Sequence, residues 1–309
     1  FQKRLILFFS CSIFLQLISY ALPFIGFSAF TESVQQRSVV EFNDVLMEED
    51  VKRFAGVLGD YELIIDYALI IIALCFFNIM NNYKKLLYSI IALTSIAVAL
   101  ASGTRSFIII ILTFFLVYFF LSLIYLRSKG SLRKLYLNYL LLAIVSYLII
   151  NSYSDLSIFE RFNSALGIYD KSGDLNEATN RHLIMSLPVF LENTTIFGNG
   201  SLYFNQLAGD EMVSHNLLMA IYAKYGIIGA YIILVLFFKP IYILIKQIQD
   251  SKNVVLKRES IIYIALLFSL FLQELKISAL RYQTTMLIYV FMFMLVFFQI
   301  SKNNVANKN

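Results

Sequence analysis

The chain is poor in the residues that soluble catalysis and disulfide scaffolds draw on. Its 309 residues include no tryptophan, two histidines, two cysteines and three prolines, and only 15% are charged. An ordinary soluble domain carries about 25% charged residues, so this balance excludes one and points to an integral membrane protein. Cys11 and Cys75 both lie inside apolar runs, which argues against a disulfide framework and leaves the redox compartment unread. No His/Cys cluster has metal-ligand spacing, and there is neither a phosphate-binding glycine loop nor a Gly-x-Ser-x-Gly elbow. The strand alternation of an outer-membrane barrel is missing too.

What the chain does have is apolar length. It is 59% hydrophobic, with a mean hydropathy of +0.74. About 20 helical residues cross a bilayer core, and lipid offers backbone groups no hydrogen bonds, so the long runs must be helices. Eight spans are expected, at about 5–30, 61–80, 86–104, 106–126, 135–152, 214–245, 261–280 and 284–300. The expectation is an all-α polytopic membrane bundle, a single integral membrane domain over 1–309. Because the chain begins at Phe1, a missing N-terminal part is also expected.

The linkers alternate in charge. One set carries 14 basic residues, among them Lys84, Lys85, Arg127, Arg133, Lys246, Lys257 and Arg258, against the two acids Asp250 and Glu259. The other set is two long loops, 31–62 and 153–213, each with eight acidic residues. The positive-inside rule places the basic set and both termini in the cytoplasm and the two long loops outside. The net charge of +5 is thereby an orientation signal and not a nucleic-acid footprint. Loops longer than about 15 residues are usually functional or disordered, so any chemistry belongs on the outer face. Within the larger loop, 177–192 reads as a short amphipathic helix with Asn176 or Thr179 as cap. Leu183, Ile184, Leu187 and Phe190 share its apolar face, and a turn follows at Phe197–Gly200.

Several polar residues stand where a membrane disfavours them. Arg105, in "SGTRS", sits between two spans with almost no loop. It either snorkels to headgroups or grips an anion with its planar guanidinium. Arg181 lies early in the outer amphipathic helix, where a cation opposes the helix dipole unless an anion accompanies it. His182 beside it points about 100° away and is read as a bystander. His215 opens an apolar run. It is either a structural hydrogen-bonding residue or a general base, the role for which a neutral imidazole is best matched near pH 7. Asn216 either orients it or caps the helix that follows. Lys224 comes next, and then Gly226 and Gly229, which would divide the run into an interfacial helix (215–225) and a true span (227–245). Asp66, Glu274 and Lys276 lie within spans towards the outer side, as mutual structural partners or as the lining of a polar cavity. Arg53 adds a cation before the second span, or pairs within its own loop.

In chain order these segments resemble the O-antigen ligase and Wzy-type polysaccharide polymerase family. "RFAGVLGDYELIIDY" (53–67) is similar to its Arg-x-x-Gly segment, and "SGTRS" (102–106) to its Ser-Gly-Ser-Arg turn, with Thr104 in place of serine. "NRHLIMSLPVFLENTTIFGNG" (180–200) is similar to its outer-loop pattern, without the tryptophan often found there. "SHNLLMAIYAKYGIIG" (214–229) is similar to its His-Asn segment. Members usually have about twelve spans, so the resemblance implies that roughly four N-terminal spans are absent here.

The resemblance implies a GT-C-like glycosyltransferase in the bacterial cytoplasmic membrane. Its donor would be a glycan on undecaprenyl diphosphate, passed to the next lipid-linked repeat unit as in O-antigen, capsule or exopolysaccharide synthesis. His215 would be the catalytic base and Arg105 and Arg181 would hold the diphosphate. Arg53, Asn216, Lys224 and Glu274 would support them. No cofactor, metal, nucleotide sugar or nucleic acid is implied. The implied partners are membrane lipid, a chain-length regulator and a flippase. Two alternatives stand beside the polymerase: a ligase moving finished glycan to a lipid A core or a protein, and a transporter or flippase of lipid-linked sugars.

Overall fold

The computed structural model describes residues 2–21, 61–101, 106–126, 196–198 and 217–277, together with 293, 294, 296, 297 and 301. Among the described residues there is no strand. The helices with full bounds are α1 (Gln2–Ala21), α2 (Tyr61–Met80), α3 (Lys85–Ala101), α4 (Ser106–Tyr125), α5 (Leu217–Asp250) and α6 (Val254–Ile277). The expected span at 135–152 lies outside the described residues, as do most of 284–300 and most of the two long loops.

Contacts divide the chain into two compact units, Phe1–Ile111 with Phe119–Arg161, and Leu112–Tyr118 with Phe162–Asn309. In the first unit α2 packs against both α1 and α3. Residues 68–76 of α2 are buried without interruption. The ring of Phe9 on α1 meets Tyr67 edge-on, with centroids 5.1 Å apart. Helix α2 ends at a left-handed Asn82 (φ 59°). Tyr83 N–H donates to Asn78 O (3.0 Å) and Asn82 N–H to Ile79 O (3.1 Å), the Schellman pair that closes the last open carbonyls. Lys84 Nζ lies 5.9 Å from the centre of the Tyr83 ring.

In the second unit α5 and α6 form an antiparallel hairpin. Between the spans expected at 214–245 and 261–280 both helices run on, and only Ser251–Asn253 is non-helical. Ser251 N–H still donates to Gln247 O (2.9 Å). Asn253 Oδ1 then accepts from Val255 N–H (2.9 Å) and caps α6. Lys246, Lys257 and Arg258 therefore sit on helices and not in a loop. Phe271 of α6 stacks against Phe237 and Phe238 of α5, at 5.1 and 5.0 Å between centroids. Phe237 also meets Phe293 at 5.5 Å.

Two of these helices are long and apolar enough to cross a membrane, over Phe107–Tyr125 and Tyr225–Asp250. Only 28% and 17% of those windows are buried, whereas the core helix of a soluble protein is mostly buried. Helix α4 is apolar all round, yet its burial is one-sided. Phe107, Ile110, Phe114, Tyr118 and Ser122 face inward, while Ile109, Leu112, Leu116, Phe120 and Leu123 are exposed. The two polar side chains in this set are on the covered stripe, and the open stripe is wholly hydrocarbon, the reverse of a water-facing helix. Hydroxyls and amides in the apolar helices turn back on their own backbone: Ser12, Asn78, Thr94 and Ser95 each donate to the carbonyl four residues earlier, at 2.8–3.2 Å.

Leu116, exposed at the centre of the α4 window, separates lipid from water as the medium. Leu116→Arg is expected to cost ~2.5–3.5 kcal/mol of membrane insertion. A water-facing site would take it within about 0.5 kcal/mol. Resistance of the variant to alkaline extraction from membranes measures the difference, and full retention would overturn lipid exposure of α4.

Candidate functional site

The residues nominated by sequence fall unevenly on the structure. Arg53, Arg105, Arg181, His215 and Asn216 lie outside the described residues, and so does the helix expected at 177–192. The described helices nevertheless bracket two of them closely: α3 ends at Ala101 and α4 begins at Ser106, and α5 begins at Leu217. Lys224 belongs to the first segment of α5, and its side chain is outside the described set. Glu274 is described and is fully buried on α6. Asp66, in the other unit, is fully buried on α2. The side chain of Lys276, the third member expected with them, is outside the described set.

The break expected in the run after His215 is present, and it falls at Gly226 (φ 66°, ψ −161°). That backbone region is open essentially to glycine alone. Gly229 stays helical and has a different task. The bend brings Tyr225 so close that a Cβ on Gly229 would collide with the tyrosine Cβ, and it would also approach Ile221 Cγ2 to 3.1 Å. So the first glycine makes the break and the second makes room inside the bend.

The break is covered by the outer-loop turn. A Cβ on Gly226 would run into the carbonyl of Ile196 and come within 2.5 Å of the Gly198 nitrogen. The backbone of Ile196–Gly198 therefore lies directly on Gly226, and Gly198 is itself left-handed (φ 77°). Sequence reading placed a turn here and a break there, but not their contact. The sequence signal was limited to a glycine in each of the two segments, Gly198 and Gly226.

A second feature was not anticipated. On α6, Ser269 and Gln273 are fully buried, one helical turn apart on the same face as judged by their spacing. Ser269 Oγ and both amide atoms of Gln273 find no hydrogen-bond partner among the described residues. Polar residues at i and i+4 in the apolar stretch "LFSLFLQELK" were the signal in the sequence. The Phe271 pairing with Phe237 and Phe238 sets Glu274 a little over two turns along the hairpin from Gly226, given about 3.6 residues per turn. Ser269 and Gln273 thus form a buried polar pair on one face of α6, and the buried Glu274 lies about 100° round the helix from Gln273.

Two outcomes are expected. Gly226→Ala should lose at least ~2 kcal/mol, from about 1–3 kcal/mol of backbone strain and the collision with Ile196. Thermal unfolding in detergent reads this, and an unchanged midpoint would contradict the close approach. Gln273→Leu should be neutral or stabilising, because an unsatisfied buried polar group costs about 1–3 kcal/mol. A clear fall in the same measurement would reveal a partner for the amide.

Set against protein-family models, curated proteins and solved structures, the chain matches none of them.

Proposed function

We propose that the chain is a membrane glycan polymerase that works on polyprenyl-diphosphate-linked substrates at the outer face of the cytoplasmic membrane. The fold would be a GT-C-like bundle with about eight spans in this chain. The observation that carries the proposal is the break at Gly226 under the Ile196–Gly198 turn. It ties the outer loop holding Arg181 to the helix that follows His215 and Asn216. A histidine in this place is held at headgroup depth, where a diphosphate sits when its polyprenyl tail is in lipid. The order of the four motif-like segments supports the same reading.

In the mechanism, Arg105 and Arg181 hold the diphosphate and stabilise charge as it leaves the anomeric carbon. His215 removes the proton from the acceptor hydroxyl as that oxygen attacks, a contribution of about 10²–10⁴-fold for a well-placed base. Asn216 orients the imidazole, Arg53 and Lys224 add positive charge, and Glu274 acts from within the bundle. Transport of a lipid-linked sugar is the second reading, and the buried patch of Ser269, Gln273 and Glu274 favours it, because polar groups inside a membrane often mark a pathway.

The test is the glycan profile of a deletion strain complemented with variants. Single repeat units on lipid carrier, exposed on the outer face, mark a lost polymerase. Full-length chains that remain unattached mark a lost ligase, and repeat units trapped on the inner face mark a lost transporter. His215→Ala and Arg105→Ala should each abolish extension while the protein still inserts. Arg105→Lys should also be poor, because lysine cannot make the bidentate contact. Normal chain length from a well-expressed His215→Ala protein would remove the general-base role.

A further inference from the structure

The covered break in α5 has an exposed neighbourhood. Ile196 and Phe197, at the tip of the turn, are 61% and 76% exposed. Beside them on α5, Tyr225, Ile227 and Ile228 are 60%, 55% and 45% exposed. Five large apolar or amphipathic side chains therefore stand uncovered around one backbone contact. In water such a cluster would be an aggregation liability.

Depth decides what covers it. The turn backbone touches Gly226, so the tip residues share the level of Gly226 along the helix. That level is the edge of the apolar window, which opens at Tyr225. The exposed face of α5 continues from there through Tyr231, Ile232 and Leu236, a surface that lipid covers if the window crosses the bilayer. The exposed Lys246 stands near the other end of the helix, which assigns Gly226 to the opposite leaflet. An isoleucine and a phenylalanine at this level, continuous with a lipid-facing surface, match the apolar side chains of interfacial anchors.

We infer that the Ile196–Gly198 turn is a membrane wedge: Ile196 and Phe197 insert among the acyl chains of the outer leaflet, and Gly226 provides the notch that seats the turn at that depth. The occupant of the surface is bilayer lipid. The wedge fixes the outer loop to the membrane at two residues without a further helix. It stands independently of the glycosyltransferase reading and requires only that α5 crosses the bilayer.

The chain has no tryptophan, so one substitution creates a sole indole probe. Phe197→Trp and, separately, Ile232→Trp are made in the full chain and reconstituted into phosphatidylethanolamine/phosphatidylglycerol vesicles. Emission is excited where tyrosine does not absorb. Quenching by lipids brominated near the headgroup end of the acyl chain is compared with quenching by aqueous iodide on both vesicle faces. The wedge predicts that bromolipid quenches the Phe197→Trp protein at least several-fold more than iodide does, as it does the Ile232→Trp protein. Dominant iodide quenching of Phe197→Trp with bromolipid quenching of Ile232→Trp overturns the wedge and leaves the span intact. Absence of bromolipid quenching in both variants overturns the wedge together with the span on which it rests.

Discussion

Lipid gives a polypeptide nothing to hydrogen-bond with, and the long apolar helices of this chain fit that constraint. Segments such as "SFIIIILTFFLVYFF" are rich in β-branched and aromatic residues, which in water favour strands. Here they are helical, because a helix satisfies its backbone within one segment. Polar side chains obey the same rule by bonding back to their own helix, as Asn78 and Ser95 do. Where helices must end, asparagine closes the open groups: Asn82 in the left-handed cap of α2, and Asn253 at the head of α6.

Gly226 is the place where that rule is broken. A non-helical residue inside α5 interrupts the ladder of backbone bonds, and at membrane depth this is tolerated only where protein or water covers the freed groups. The Ile196–Gly198 turn provides such cover by laying its backbone on the glycine. The loop and the break thus depend on each other. Without the turn the peptide groups freed at the break would lie uncovered, and without the break and its missing side chain the turn could not approach. An energetically costly kink of this kind is a sign of a placed element rather than of slack.

The long apolar runs made much of the fold legible. The starts of α2 and α4 coincide with those expected, and their ends to within a residue, because hydropathy changes abruptly there. Charge between the expected spans does not mark a loop at 246–260, where all but Ser251–Asn253 is helical. A membrane helix can leave the apolar core and continue into water, and the Asn253 cap allowed α6 to start seven residues before its apolar stretch. The burial of α4 could not be read at all: with apolar residues on every side, periodicity carries no information, and only the packing distinguishes Phe114 from Leu116. For the site, sequence located the break but not what lies on it, since the pairing of Gly226 with Ile196 joins segments about thirty residues apart. Nor could it place Glu274, whose depth depends on how α6 registers against α5.

That register gives the polar groups of the hairpin a pattern. At its closed end, Gln247, Ser251, Glu259 and Ser260 are buried around the short Ser251–Asn253 turn. Between them and the other patch, α6 from Ile261 to Leu267 carries a single hydroxyl, that of Tyr263, in an otherwise apolar stretch. Polarity returns only at Ser269, Gln273 and Glu274. A helix held in place by hydrophobic packing alone would have no use for the second patch, since replacing such groups with apolar ones is often neutral or stabilising. The first patch has an evident structural use in closing the tight turn. The second lies along the half of the hairpin that carries the Gly226 break. The physical case for function in the described part of this chain therefore rests on that half, where α5 gives up helical bonding and α6 gives up apolar packing.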